Sequence, residues 1–231
     1  MSSLNILSGG AAHGLVASVA PKFKAETGFD IGGEFGAVGA MTEKLRKGTP
    51  ADIVILTTKI IADLAGENLV VRASIADVGL VETAIAVRAR DPLVAVKDAA
   101  SLRDALLAAD AIFVPDTKAS TAGIHVAKVL QQLGIADTVA ARLKIYPNGA
   151  TAMRHLAESS ALRPIGCTQS TEIIATSGVV LSGSLPAGCE LATMYTAAVT
   201  TGAAHGKQAQ NLIDLLTAAD QREQRERAGF L

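Results

Sequence analysis

The stretch "LNILSGGAAHGLVASVAPKFKAETG", Leu4 to Gly28, reads as a β-strand that turns through small residues directly into an amphipathic helix. The apolar run ends at Ser8, the helical pattern runs from Gly14 to Thr27, and between them lie Gly9, Gly10, Ala11, Ala12 and His13. Backbone N–H groups at a helix start have no partner inside the helix, and residues without bulk let another molecule approach them. A turn of this kind is a seat for an anion. Its spacing contains neither G-x-G-x-x-G nor the Lys-Ser/Thr pair of a phosphate-binding loop, so a nucleotide is not the guest it indicates. A tight turn chosen for packing is the plainer reading of a single instance.

The same alternation continues along the chain. "GFDIGGEF", "ADIVIL", "ETAIAVRA", "AIFVPD", "KIYPNG", "PIGCTQS" and "VVLSGSL" read as further strands. Helical patterns lie at 39–47, 59–66, 101–109, 123–134, 150–158, 171–176 and 204–217. The expected class is α/β with mainly parallel sheets. No repeat or Pro/Gly-rich linker interrupts the pattern, so a division into two lobes must run through strands. Three more helix starts repeat the opening motif: Ala37, Val38 and Gly39; Ser120, Thr121 and Gly123; and Asn148, Gly149 and Thr151. With few charges beside them, these turns point to helix dipoles and N–H groups, rather than Lys or Arg, as the receivers of a ligand.

Composition narrows the classes of partner. The 231 residues are 49% apolar, enough for a substantial core. A net charge of −1 and seven aromatics without Trp exclude a nucleic-acid footprint. No apolar run approaches the roughly 18 to 20 residues of a membrane span. "MSSLNILSGG" lacks the basic and apolar regions of a secretory signal, so the expectation is a cytoplasmic chain, or a periplasmic one if a signal peptide has been removed. Cys167 and Cys189 have no metal or redox spacing and read as reduced, buried thiols; neither a metal nor a cofactor is expected.

The order of segments, with "APKFKAETG" followed by "FGAVGAMTEKLRKGTPADIVIL", resembles the molybdate-binding branch of the type 2 periplasmic solute-binding proteins. The G-x-P-A-D element (Gly48, Pro50, Ala51, Asp52) and the closing "AGF" (Ala228 to Phe230) carry the resemblance, which covers nearly the whole chain. It implies two α/β lobes, 1–81 plus 197–231 and 82–196. They would be joined by crossing strands near Val81–Val87 and Leu191–Ala197, with a ligand between them. It also implies ligand contacts from Ser8, Gly9, Gly10, Ala11, Ala37, Val38, Gly39, Ser120, Thr121, Gly123, Gly149, Thr151 and Tyr195. An ABC importer is an implied partner only if a signal peptide has been removed. The chain departs from the molybdate pattern where the first turn has Ser8 followed by Gly9 and the second has Ala37-Val38-Gly39, each short of a hydroxyl. A buried dianion needs several donors, and an unmet oxygen is expensive. "PIGCTQSTEII", with Gln169, Ser170 and Glu172, is similar instead to a divergent subgroup that includes aconitate isomerase. The expected ligand is a small organic di- or tricarboxylate, or an oxyanion.

The alternative is an isomerase that shifts a proton on such a carboxylate by general acid/base catalysis. His13, beside the first turn, Glu82, near the first crossing, and His125, one turn into the helix that follows Ser120 and Thr121, are its candidate catalytic residues. His13, Glu82 and the ligand candidate Tyr195 also have plain readings: His13 as a solvent-facing first-turn residue, Glu82 as a partner of Arg88 or Arg90, and Tyr195 as a core aromatic. Arg154 and Arg163 read as exposed. Ser8 lacks the nucleophile elbow and is expected to act as a donor.

Overall fold

Short apolar runs and amphipathic helices alternate throughout the computed structural model, which describes residues 2–231. The chain forms two units, one holding the residues up to Val81 together with Thr193–Leu231, the other Glu82–Ala192. In chain order the first unit contains β1 (Ser3–Gly9), α1 (His13–Thr27), β2 (Asp30–Gly36), α2 (Val38–Arg46), β3 (Ile53–Thr57), α3 (Thr58–Gly66) and the start of β4 (Ala76–Arg88). The second takes the rest of β4 and then α4 (Ala99–Ala108), β5 (Ala111–Pro115), α5 (Thr121–Gln132), α6 (Ala136–Val139), β6 (Leu143–Tyr146), α7 (Gly149–Glu158), β7 (Pro164–Gln169), α8 (Ser170–Ile174) and β8 (Val179–Ser184). The chain then returns to the first unit along β9 (Ala192–Val199), followed by α9 (Gly206–Thr217) and α10 (Arg222–Arg227).

In the first unit the strands run in the order β2-β1-β3-β9, with the start of β4 beyond β9. β1 is parallel to both β2 and β3, and β9 is antiparallel to β3. The spacing of Leu15, Val16, Val19 and Phe23 gives α1 one apolar face, which is buried in the same core as Leu212, Ile213 and Leu216 of α9. Gly28 ends α1 at φ 75°, a left-handed conformation that favours glycine, and its N–H closes on the Lys24 carbonyl. The ladder to β3 pairs Thr196 with Leu56 and Tyr195 with Thr57. Thr193 to Thr196 group with the first unit, four residues ahead of the start at 197 that the resemblance implies.

The two sequence elements that carried the resemblance have structural work here. Buried Asp52 accepts hydrogen bonds from the N–H groups of Asn5 and His205, both at 2.8 Å, and so ties β1 to the residue before α9. Phe230 is buried against Tyr195, and Leu231 exchanges backbone hydrogen bonds with Leu80. Neither element is free to serve as a ligand signature.

In the second unit the order is β8-β4-β7-β5-β6. β5 is parallel to β6 and β7, whereas β4 is antiparallel to β7 and β8. Alternate residues of β4 serve opposite faces: Ile85 packs with Cys167 against α4 and α5, and Ala84 and Ala86 pack with Met153 and Leu156 of α7. Both cysteines are buried free thiols, and burial pushes Cys167 up to about 12, which keeps it unreactive.

Candidate functional site

The first unit brings three of the sequence candidates to one point. β1 ends at Gly9, a 3-10 turn follows at Gly10–Ala12, and α1 starts at His13. A side chain at Gly9 would stand 2.8 Å from the Tyr195 ring and 3.2 Å from Val38. The opening turn, the start of α2 and the cleft tyrosine expected from the resemblance therefore pack together, and glycine is required because the backbone of Gly9 lies against an aromatic ring. Ala37 precedes α2 in an extended conformation, and no side chain caps that helix. Ser8 is fully buried and its hydroxyl donates to the Gly9 carbonyl at 2.9 Å, an internal use of the donor assigned to the ligand. Ala11 and Ala12 are buried.

In the second unit Ser120 precedes α5, and its side chain makes no capping hydrogen bond to that helix. Gly123 has to be glycine because a Cβ there would overlap the carbonyls of Pro115 and Asp116, so α5 starts hard against the end of β5. Asp116 folds the intervening loop by accepting from the N–H groups of Lys118 and Ala119. Thr121 is half-buried.

The fourth turn does not fit the expectation. The carboxylate of Glu172 lies at the start of α7, where it accepts from the Thr168 hydroxyl at 2.6 Å and from the N–H groups of Gly149, Ala150 and Gln169. Asn148 takes the Thr151 N–H at 2.8 Å. A Cβ at Gly149 would overlap the Glu172 carboxylate. The N–H groups of Gly149 and Thr151 thus serve acceptors within the protein, Glu172 and Asn148. Burial pushes the Glu172 carboxyl above its ordinary value, against the opposing pull of its four donors.

Two faces of β7 diverge at its end. Thr168 points to Glu172, whereas Gln169 lies on the other face and is buried with neither side-chain oxygen nor nitrogen bonded within the protein. Thr83, opposite Gln169 in the β4–β7 ladder, is likewise buried with an unbonded hydroxyl. Ser170 is buried at the start of α8. Sequence reading named Gln169 and Ser170 but missed Thr83, because only strand register reveals its neighbour.

Of the proposed acid/base residues, His13 lies in the first unit and Glu82 and His125 in the second. His13 is exposed, its ring edge-on to Phe35 at 4.7 Å between centroids. His125 bonds through Nε2 to the Cys189 carbonyl at 2.8 Å. Glu82 accepts from Ser184 rather than pairing with Arg88 or Arg90; Arg88 is held by Asp91 and by the carbonyls of Ser159 and Leu162. Arg154 and Arg163 are exposed, the first donating to Thr151 and the second beside Asp110. Among the described residues no helix is long and apolar enough to cross a membrane.

Comparison with known proteins agrees with this architecture. The chain is 25% identical to an aconitate isomerase from a Pseudomonas species over an alignment that covers 100% of this chain and 88% of that protein. It is 24% identical to the molybdate-binding protein ModA of Escherichia coli, covering 80% of this chain and 72% of that one. Among solved structures, the periplasmic molybdate-binding protein of Azotobacter vinelandii superposes with a TM-score of 0.82 at 18% identity, over 99% of this chain and 98% of that chain, which establishes a shared two-lobed periplasmic-binding-protein fold. The sequence pattern of bacterial extracellular solute-binding proteins matches residues 4–231, and to that family the chain belongs.

Proposed function

We propose that the protein binds a small organic carboxylate through neutral donors. In the first unit these are the turn at Gly9, Gly10 and Ala11, the start of α2 at Ala37, Val38 and Gly39, and Tyr195. In the second they are the start of α5 at Ser120, Thr121 and Gly123, with Gln169 and Ser170. Membership of a solute-binding family and likeness to a molybdate-binding protein support an anion as the ligand.

The observation that carries the choice of carboxylate is Glu172. At α7 this chain already holds a carboxylate on backbone N–H groups and a hydroxyl, with no Lys or Arg among the groups bonded to it. The same chemistry at the other helix starts would receive a second carboxylate. The Ser8 hydroxyl is committed to the Gly9 carbonyl, so the first turn offers a buried tetrahedral dianion no side-chain donor from Ser8. Titration calorimetry with citrate, trans-aconitate, molybdate and sulfate tests this. The expected result is heat of binding with an organic acid and little with the oxyanions. Binding of molybdate or sulfate alone would overturn it.

A second reading is isomerase activity, favoured by the similarity to an aconitate isomerase along this entire chain. Proton NMR of a trans-aconitate solution incubated with the protein decides it. New olefinic or methylene signals mean turnover, and an unchanged spectrum leaves a binder. His125 and Glu82 are each hydrogen-bonded to another group of the protein, and the His13 ring is exposed beside Phe35, so His13→Ala is the first variant to assay if turnover is seen.

A further inference from the structure

Gln169, counted above among the donors of the second unit, faces a second buried polar residue, Thr83, which that scheme does not use. The two residues face one another in the antiparallel β4–β7 ladder, two positions beyond the facing pair Ile85 and Cys167. Side chains alternate along strands, so Thr83 and Gln169 share the face of Ile85 and Cys167, which packs against Val126, Val129 and Leu130 of α5. The parallel register of β7 with β5 runs Ile112 to Ile165 and Phe113 to Gly166, and continuing it brings Gln169 level with Asp116. Asp116 is the residue whose carbonyl abuts Gly123 in the first turn of α5. The apolar core of this face thus ends in two polar side chains at the end of the sheet where α5 starts.

Thr83 is 1% exposed and Gln169 is 3% exposed, and the Thr83 hydroxyl and both ends of the Gln169 amide have no hydrogen-bond partner within the protein. Which way the amide is turned does not matter, since both its atoms are unbonded. Leaving such groups unsatisfied is costly, and three at one spot point to a guest.

The donor and acceptor inventory limits that guest. A carboxamide has an acceptor oxygen as well as donor hydrogens, and a hydroxyl both donates and accepts. An oxyanion or an ionised carboxylate only accepts. It can satisfy the amide N–H and the Thr83 hydroxyl, but it leaves the Gln169 oxygen without a donor. An alcohol O–H supplies one.

We infer that Thr83 and Gln169 receive an alcohol hydroxyl of the ligand, so that the substrate class is a hydroxy-carboxylate, its carboxylate on the N-terminus of α5 and its hydroxyl on the amide and threonine beneath it. The inference rests on the carboxylate-binding reading above and makes it more specific: saturated or unsaturated acids lacking the hydroxyl bind less well. Thr83 and Gln169 are specificity-determining residues that touch the ligand, and the start of α5 supplies the attraction for charge.

The test uses matched acids that differ by one hydroxyl, citrate against tricarballylate and malate against succinate, titrated calorimetrically into the whole chain. The expected result is that the hydroxy acid of at least one pair binds about tenfold or more tightly than its deoxy analogue. In the Thr83→Val and Gln169→Leu variants that preference falls to about twofold or less. The wild-type comparison needs no variant, so a substitution that fails to fold leaves the test intact. Equal binding of hydroxy and deoxy acids overturns this inference while the carboxylate reading stands. Binding of no organic acid beside clear binding of molybdate overturns both. A preference that persists unchanged in both folded variants also overturns the inference, and then the pair holds buried water alone.

Discussion

Removing the Glu172 carboxylate should destabilise the protein by about 4 kcal/mol. Glu172→Ala takes the acceptor from the Thr168 hydroxyl and from the N–H groups of Gly149, Ala150 and Gln169. A buried donor left without an acceptor costs about 1 to 3 kcal/mol, and the low end applies here because water can enter the vacated space. Four donors at about 1 kcal/mol each give the figure, a large part of the 5 to 15 kcal/mol that holds a typical domain folded. Urea unfolding of wild type and variant measures it, with the second unit expected to lose its structure first.

Glu172→Gln keeps one acceptor oxygen and turns an NH2 toward donors, so its loss should be smaller. The pH dependence of that variant is diagnostic. Burial raises the folded-state pKa of Glu172 above the ordinary 4.5, so the unfolded chain releases this proton first and the folded state holds it longer. Wild-type stability from this group is therefore fully present at and below pH about 4.5 and declines as pH rises through the folded-state value. The wild-type advantage over Glu172→Gln should narrow with rising pH and then level off. A loss below about 1 kcal/mol in Glu172→Ala would refute the assignment of this carboxylate to the start of α7, and an advantage that widens with pH would show that its four donors outweigh burial.

Other consequences follow from the first unit. Gly9→Ala places a methyl 2.8 Å from the Tyr195 ring, so it should cost about 1 to 3 kcal/mol in thermal unfolding and weaken ligand binding at least tenfold in calorimetry. Asp52→Ala leaves the N–H groups of Asn5 and His205 without their charged acceptor, and a loss of about 2 to 4 kcal/mol in urea unfolding is expected. His13→Ala, at an exposed position, should stay within about 0.5 kcal/mol of wild type in the same measurement.

The fold was legible because two kinds of signal coincide in the chain. Strand runs such as "ADIVIL" are continuous because β3 is buried on both sides, and helices such as α1 show the one-sided spacing of Leu15, Val16, Val19 and Phe23. The boundary between the units was less so, since nothing in the run Ala192–Val199 marks where one unit ends, and only its ladder to β3 groups Tyr195 and Thr196 with the first unit. Small residues at helix starts correctly marked close approaches, but they do not say what approaches. At Gly9 it is Tyr195, at Gly123 it is the backbone of β5, and at Gly149 it is Glu172 from an element far along the chain. The Thr83–Gln169 pair was beyond sequence reading because neither residue is unusual alone; their opposition across a ladder and their shared lack of partners appear only in three dimensions.

The most direct test of the central claim is a map of backbone amide shifts by nitrogen-15 NMR as citrate or malate is added. The account predicts movement of the Gly10, Ala11, Val38 and Gly39 amides in the first unit and of those at Thr121, Ala122 and Gly123 in the second. The Gly149 and Ala150 amides, held by Glu172, should stay in place. Movement centred on Gly149 and Ala150, with the other turns silent, would contradict it.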